Sequence, residues 1–295
     1  MHHILGLPNG RPSSARIAAA LKEEQMIQPD FNATLRLERP DGGWLQYAVA
    51  GDGDPVVFIH GFGLDFGMWD PQWQPFSARY RAIRYDLRGY GGSSLPDGPY
   101  SHVDDLLALI DRLDARPVHL VGLSLGGRVA LRMAAQEPES VRSLTLADAA
   151  MDGHLWSGEW LQRWRKMTDA AKQGDLRAAK QLWQEHTLFK PARRRPEVAL
   201  ALKLMIDRYS GWHLGHPDPG ISPDLPVAKT LPRISIPTLV LVGDHDLPDF
   251  QGIAQRLAKE MPGATLRIIA GSGHMSNMEA PQVFNELVLE HLQRN

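Results

Sequence analysis

Ser124 lies in a segment whose residue types favour nucleophilic chemistry. Residues 118–123 are mostly apolar, as in a short buried strand, and the apolar residues of 129–137 are spaced as in a helix. Gly122 and Gly126 flank Ser124 in a Gly-x-Ser-x-Gly pattern, which is typical of a turn too tight for a side chain at either glycine. Such a turn would hold the Ser124 hydroxyl at the end of the strand. The predicted chemistry is attack by this hydroxyl on a carbonyl carbon.

A serine hydroxyl is a weak nucleophile, so it needs a base that is itself oriented by a third group. His274 is the predicted base because, among twelve histidines, it alone lies in a glycine-rich loop after the last predicted strand. The predicted acid is Asp246, three residues past Gly243 at the end of the penultimate strand. Asp148, after the sixth strand, is the first alternative acid, and Asp244 is the second.

The negative charge that develops on an attacked carbonyl needs two amide donors. The amide of Leu125, at the start of the helix after the serine, is predicted to be one of them. The amide of Phe62, in the loop after the third predicted strand, is predicted to be the other. His60 in the same loop is expected to brace it by hydrogen bonds. Because Phe62, Leu125 and Met275 flank these groups, all three are expected to contact the substrate.

Several strands must end at one edge to bring these groups together. Residues 34–38 and 44–50 alternate like two antiparallel strands, and further strands are predicted at 55–59, 81–85, 118–123, 141–146, 238–242 and 265–269. Helical patterns alternate with them at 101–113, 129–137, 251–260 and 281–292. The sequence therefore predicts an α/β fold with a mostly parallel eight-stranded sheet and helices on both faces. Ligands of such sheets bind at the carboxyl ends of the strands.

The strand pattern stops between residues 151 and 232, where the apolar spacing is helical. We expect residues 151–232 to form a helical cap over the carboxyl edge of the sheet. Five of the eight tryptophans lie in this segment, and they suit an apolar acyl or aromatic site. Trp156 and Trp183 are predicted to bind substrate, with Trp160 and Trp212 as the other candidates.

The proposed cap divides the core into residues 31–150 and residues 233–295. Residues 1–30 stand apart as an N-terminal arm, with a helix predicted from about residue 13 to residue 26. The arm is expected either to pack on the core or to mediate oligomerisation.

The composition narrows the classes of partner. The chain has 295 residues, a formal net charge of −2 and no cysteine. The near-neutral balance favours neither nucleic acid nor an anionic membrane as a partner. The lack of cysteine excludes disulfides, thiolate metal sites and a cysteine nucleophile. Because neither a signal-peptide pattern nor a long apolar run is present, the expected location is the cytoplasm. No pattern predicts an oligomeric state.

Two polar clusters in the proposed cap are not assigned a function. The run Arg193–Arg195 is expected to be a solvated face because the overall charge is near neutral. His213, His216 and Asp218 have the residue types of metal ligands, but the intervening Gly and Pro indicate a loop with no obvious fourth ligand. Neither a metal nor an organic cofactor is expected.

Taken together, five motifs resemble the α/β-hydrolase superfamily across residues 34–295: His60-Gly61-Phe62-Gly63, Asp86-Leu87-Arg88-Gly89-Tyr90-Gly91-Gly92-Ser93, Gly122-Leu123-Ser124-Leu125-Gly126-Gly127, Gly243-Asp244-His245-Asp246 and Gly273-His274. Within that superfamily, residues 67–72 and 274–279 are similar to 3-oxoadipate enol-lactonases, to carboxylesterase-like members and to the C–C bond hydrolases of aromatic degradation. The N-terminal arm has no counterpart in the family pattern.

The leading hypothesis is a serine hydrolase that cleaves small apolar carboxylic esters through an acyl-enzyme. A lactonase or a C–C bond hydrolase would use the same residues on a cyclic ester or a β-diketone-like substrate. A cofactor-free oxygenase or perhydrolase is a more distant alternative, because the fold hosts both. A ligand receptor is the non-enzymatic alternative, but it has no need for a complete set of serine, histidine and acid.

Overall fold

The computed structural model describes residues 34–222 and 226–295. It begins with the two antiparallel strands that the sequence predicts, β1 (Leu35–Glu38) and β2 (Trp44–Ala50), in a register that pairs Leu35 with Tyr47. The predicted N-terminal arm and its helix lie outside the described residues.

Six further strands complete the sheet: β3 (Pro55–Ile59), β4 (Arg81–Tyr85), β5 (Val118–Leu123), β6 (Val141–Ala147), β7 (Thr238–Gly243) and β8 (Ala264–Ile269). Their order is β1-β2-β4-β3-β5-β6-β7-β8, and every pairing from β4 to β8 is parallel. The predicted mostly parallel eight-stranded sheet is confirmed. Every residue of β5 and β7 is buried, because helices cover both faces of the sheet.

The helices of the core are α1 (Asp70–Ser77), α2 (His102–Arg112), α3 (Leu125–Gln136), α8 (Pro248–Glu260), α9 (Ser276–Glu279) and α10 (Pro281–Gln293). The sequence predicts four of them to within a few residues. It predicts neither α9, which is a single turn, nor α1, where Pro71 and Pro75 weaken the helical pattern. Among the described residues, no helix combines the length and the apolar character that crossing a membrane requires.

Between β6 and β7 the described residues contain three helices that the helical spacing predicts, α4 (Gly158–Lys172), α5 (Leu176–Gln184) and α6 (Pro196–Arg208), and a single turn that it does not predict, α7 (Trp212–Gly215). Side chains cap two of them, because Ser157 accepts a hydrogen bond from the amide of Trp160 and Asp175 accepts one from that of Ala178. Residues 34–295 form one compact unit, so the boundaries of a separate cap at 151 and 232 stay a prediction.

Aromatic packing fixes α1 against the sheet. The ring of Phe58 on β3 lies 5.1 Å from the ring of Trp69 and 5.1 Å from that of Phe76, and all three side chains are fully buried. Burying a side chain of this size contributes roughly 1.5–3 kcal/mol. This cluster offsets the weak helical propensity of α1 and holds the end of β3, where the Phe62 loop begins.

Candidate active site

Ser124 occupies a strained turn between β5 and α3. Its φ of 55° and ψ of −113° are rare for a residue with a side chain. A Cβ on Gly126 would lie 2.0 Å from the carbonyl oxygen of Ile59, and one on Gly122 would lie 2.3 Å from that of Gly126. The amide of Ser124 donates to the carbonyl of Ala147 at 3.0 Å. Both glycines are therefore needed for α3 to approach the sheet closely enough to impose this turn.

His274 lies in the loop between β8 and α9, where it meets Asp246 from the loop after β7. Its Nδ1 is 2.9 Å from Oδ2 of Asp246, and both side chains are buried. The other oxygen of Asp246 accepts a hydrogen bond from the amide of Leu247 at 2.7 Å. Burial raises the pKa of Asp246, while the Leu247 amide and the Asp148 carboxyl stabilise its ionised form. The structure thus brings together the predicted base and the preferred acid.

The second nitrogen of His274, Nε2, is buried and has no hydrogen-bond partner among the described residues. The ring of Phe250 covers the imidazole, with the two ring centroids 4.2 Å apart. Burial lowers the pKa of His274 to about 4, against the opposing charges of Asp148 and Glu279. A neutral imidazole that donates through Nδ1 to Asp246 would leave Nε2 free to accept a proton.

Asp148, the first alternative acid, lies beside the His274–Asp246 pair. The donor atoms of the three residues lie within 4.8 Å of one another. Asp148 is engaged elsewhere, because it accepts hydrogen bonds from the amide of Gly243 at 2.9 Å and from the hydroxyl of Ser276. Burial and the neighbouring Asp246 raise the pKa of Asp148 well above its usual range. Asp148 is therefore a neighbour of His274 that holds the loop after β8 through Ser276.

Glu279 shapes the loop around His274. Its carboxylate accepts hydrogen bonds from the amides on both sides of His274, at 2.8 and 3.1 Å, and pairs with Arg195 at 3.1 Å. The predicted solvated face at Arg193–Arg195 is therefore wrong for Arg195, which crosses to this loop. Asp244, the second alternative acid, accepts instead from the amide of Gly271 at 2.8 Å and shapes the turn.

The loop after β3 lies against the serine turn. A Cβ on Gly61 would lie 3.6 Å from the Cβ of Ser124, so the neighbouring Phe62 amide is close to the nucleophile. No hydrogen bond joins the amides of Phe62 and Leu125 to any other residue in the described ranges. His60 braces this loop, since its Nδ1 lies 2.8 Å from the Gly61 carbonyl oxygen and its Nε2 accepts from an amide on the neighbouring loop at 2.9 Å.

A cavity of about 370 Å³ opens above Ser124 and Leu125. Aromatic side chains form most of its wall: Phe62, Trp156, Trp160, Trp164, Trp183 and Phe250. Phe62 is central to this wall, with ring centroids 5.0 Å from Trp164 and 5.5 Å from Trp183. Four of the predicted substrate contacts, at Phe62, Leu125, Trp156 and Trp183, therefore line one cavity.

Met275 is not among the residues that line this cavity, although the sequence analysis expects it to contact substrate. Its side chain is fully buried, and its amide is held by Glu279. The structure does not place Met275 in this cavity wall, because adjacency to His274 in the chain does not decide which way a side chain points. Trp212 is also absent from the lining, and its ring stacks on that of His216 at 5.2 Å.

One end of the cavity is polar, which no sequence pattern predicts. His102 from α2, Arg128 from α3, and His213 and Asp218 beyond α6 line it together with Tyr90. The ring of His213 stacks on that of Tyr90, with centroids 4.4 Å apart. Arg128 could have been found from the sequence, because it lies one helical turn after the nucleophile.

Asp249 ties the segment after β6 to the core. It lies in the first turn of α8, and its carboxylate accepts from the amide of Ser157 at 2.9 Å and from its hydroxyl at 2.7 Å. His154 Nε2 lies 3.1 Å from the same carboxylate. These contacts fix the start of α4 beside Phe250, the residue that covers His274.

The described residues contain one group of three potential metal ligands whose donor atoms converge, namely Asp148, Asp246 and His274. The hydrogen bonds within and around this group already engage every carboxylate oxygen. His213 and His216 are not brought together with Asp218 in this way, because His216 bonds the carbonyl of its own helix while Asp218 accepts from Tyr100.

Comparison with known proteins agrees with this architecture. The family model described as alpha/beta hydrolase fold matches residues 54–281. The chain is 31% identical to 3-oxoadipate enol-lactonase 2 of Acinetobacter baylyi, over 83% of this chain and 91% of that protein.

Solved structures show the same likeness. A thermophilic esterase from Thermogutta terrifontis superposes with a TM-score of 0.74 at 27% identity, covering 89% of this chain and 98% of that one. The enol-lactonase from Burkholderia xenovorans LB400 superposes with a TM-score of 0.72 at 25% identity, covering 86% and 98%. The sheet order, the serine turn, the matched family model and these relatives lead to one conclusion, that the chain belongs to the α/β-hydrolase family.

Proposed function

We propose that the protein is a serine hydrolase that cleaves small carboxylic esters through an acyl-enzyme intermediate. The observation that carries this proposal is the buried hydrogen bond of 2.9 Å between His274 Nδ1 and Asp246. It selects the tautomer whose Nε2 is a proton acceptor, and that nitrogen has no other partner among the described residues. Ser124, in its strained turn, supplies the hydroxyl.

In the proposed reaction, the Ser124 side chain rotates so that its hydroxyl reaches His274 Nε2, and Oγ attacks the ester carbonyl as the imidazole takes its proton. The amides of Phe62 and Leu125 stabilise the oxyanion, and Asp246 stabilises the imidazolium. The imidazolium then protonates the departing alcohol. Water activated by His274 hydrolyses the acyl-enzyme and releases the acid.

The aromatic wall of the cavity supports a small substrate with apolar parts. A volume of about 370 Å³ is at the small end of the range for ligand sites. The tryptophans of α4 and α5 would exclude water from the acyl group, which strengthens the interactions of the oxyanion. We therefore expect activity on 4-nitrophenyl esters to be highest for short acyl chains.

The test compares Ser124→Ala with Ser77→Ala, a matched control that removes the same kind of oxygen at the end of α1, at a residue that does not line the cavity. Hydrolysis of 4-nitrophenyl acetate is expected to fall by about 10³-fold or more in Ser124→Ala and to stay unchanged in the control. A fluorophosphonate should phosphonylate Ser124 with loss of fluoride, which adds the mass of the phosphonyl group to the peptide that contains Ser124. Wild-type turnover by Ser124→Ala would contradict the proposal.

Lactone hydrolysis is the second candidate function. Enol-lactonases are among the proteins that this chain resembles in both sequence and structure. A lactone is an internal ester, so Ser124 and His274 would act on it without change, and the released alcohol would stay tethered to the acyl group. A side-by-side assay with an enol-lactone, an alkyl ester and a β-diketone-like ring-cleavage product would separate lactonase, esterase and C–C bond hydrolase by kcat/KM.

A further inference from the structure

Arg128 is a cation in a cavity whose wall is mostly aromatic. It belongs to α3, four residues after Ser124, and its amide donates to the Ser124 carbonyl at 3.1 Å. Residues at this spacing share a helix face and lie about 6 Å apart along the axis. Both side chains line the same cavity. The guanidinium is therefore within reach of a substrate whose carbonyl lies at Ser124.

The guanidinium of Arg128 has little to bind within the described residues. Its Nε is buried without a hydrogen-bond partner, and its nearest carboxylate oxygen, on Asp152, is 4.0 Å away. Asp152 is already engaged, because Arg132 donates to both its oxygens, at 2.6 and 2.9 Å. Burial and the like charge of Arg132 lower the pKa of Arg128. The Arg128 side chain is only partly buried, but its Nε lacks a close partner, and a bound anion would supply one.

The other polar groups around this end of the cavity do not form a close ion pair with Arg128. Asp218 is the one carboxylate in the lining; its charge favours the Arg128 cation, while its Oδ1 accepts hydrogen bonds from the hydroxyl of Tyr100 at 3.0 Å and from the amide of Gly220 at 2.9 Å. Burial lowers the pKa of His213 to about 4 and that of His102 well below its usual range, so both are neutral near pH 7.

We infer that Arg128 binds a carboxylate of the substrate, so that the natural substrate is an ester or lactone that also carries a free acid group. This inference deepens the proposed function and rests on it for the identity of the cavity as the substrate site. A guanidinium matches a carboxylate through two parallel N–H donors, and its charge is not lost at high pH. The aromatic wall would hold the apolar part between the acid and the reacting carbonyl.

The test measures binding, so it does not depend on hydrolysis. Tryptophan fluorescence reports on the cavity, and the probes are phenylacetate and its neutral near-isostere phenylacetamide. The wild-type protein is expected to bind phenylacetate at least about tenfold more tightly than the amide. Arg128→Gln should reduce that preference to less than about twofold, and Arg128→Lys, which keeps the charge, should retain part of it.

Arg142→Gln is the matched control for net charge. Arg142 is on β6, pairs with Asp54 at 2.8 Å and does not line the cavity. Its removal should leave the preference for phenylacetate unchanged. The preference should also be constant between about pH 6 and pH 9, because arginine does not titrate there.

The inference would be overturned if the wild-type protein bound the two probes equally or bound neither. It would also be overturned if Arg128→Gln kept both the full preference and the wild-type melting temperature, or if the preference disappeared as the pH rose past 7. Hydrolysis by Ser124 without any preference would overturn this inference and leave the proposed function intact. A preference without hydrolysis would support the carboxylate site and contradict the proposed function.

Discussion

Replacing Asp246 with asparagine tests the acid of the proposed triad. Asparagine keeps the shape of the side chain but removes its charge and offers an NH₂ group to His274 Nδ1. That donor would favour the opposite tautomer, whose Nε2 carries the proton and cannot accept one from Ser124. We expect a large loss in kcat with little change in KM.

The expected size of the loss in kcat follows from the distance between Asp246 and His274. The two groups are in contact at 2.9 Å, with their charge centres about 1 Å further apart. An ion pair at about 3–4 Å in an effective dielectric of about 20 is stabilised by roughly 4–6 kcal/mol. This stabilisation exists only after the imidazole has taken the proton, so it lowers the barrier directly. We therefore expect a loss of about 10³- to 10⁴-fold in kcat.

Asp148→Asn and Asp244→Asn are the matched controls. Asp148 lies within 4.8 Å of the same imidazole, but its two oxygens already accept hydrogen bonds from the Gly243 amide and the Ser276 hydroxyl, so it does not orient the ring as Asp246 does. Asparagine at position 148 can still accept from the Gly243 amide. We expect a change of less than about tenfold there and none at Asp244, which shapes an exposed turn.

The assay is steady-state hydrolysis of 4-nitrophenyl acetate, with thermal unfolding as the check on folding. This reasoning would be refuted if Asp148→Asn were the most impaired variant while Asp246→Asn kept its activity within tenfold of wild type. It would mean that the carboxylate bonded to His274 in the resting structure is not the one that stabilises the imidazolium.

Three further predictions concern pH, the His274 loop and the serine turn. Because burial lowers the pKa of His274 to about 4, kcat/KM should be constant near neutrality and fall only as the pH drops through about 4. In the unfolded chain His274 takes up its proton already below about pH 6.5. Lowering the pH from 6.5 to 4 should therefore decrease the free energy of unfolding by up to about 1.4 kcal/mol per pH unit for this histidine. Glu279→Gln should lower kcat about 10- to 100-fold with KM nearly unchanged, since the amides on both sides of His274 lose a charged acceptor; an equal loss in an Arg195→Gln variant would assign the effect to the ion pair instead. Gly126→Ala should reduce the melting temperature strongly or prevent folding, because its Cβ would lie 2.0 Å from the Ile59 carbonyl oxygen, and wild-type stability would show that α3 can shift away.

The sequence predicts those parts of the site that local backbone geometry controls. Ser124 could be placed because its two glycines and the flanking strand and helix are one continuous signal. His274 and Asp246 could be placed because side chains that follow the carboxyl ends of neighbouring parallel strands converge. The sequence left Asp148 and Asp244 open as acids, since all three candidates follow strands that end at the same edge. Only their hydrogen bonds distinguish the three carboxyls: Asp148 accepts from Ser276, and Asp244 accepts from an amide in an exposed turn.

Side-chain direction and long-range packing could not be predicted from the sequence. Met275 follows His274 in the chain and yet is buried away from the cavity, whereas Phe250 is distant in sequence from it and covers its ring. The polar end of the cavity depends on how α2, α3 and the segment beyond α6 meet, which no local pattern specifies. Arg195 shows the same limit, because a basic run near the surface gives no indication that one of its members reaches Glu279.

The carboxylate of Asp249 connects one wall of the cavity to the surroundings of the proposed base. Any swing of α4 away from α8 must first break the hydrogen bonds that Ser157 and His154 make to it. Asp249 is adjacent in the chain to Phe250, the ring that covers His274. One carboxylate thus connects the start of α4, which carries Trp160 and Trp164 of the cavity wall, to the residue that shields the proposed base.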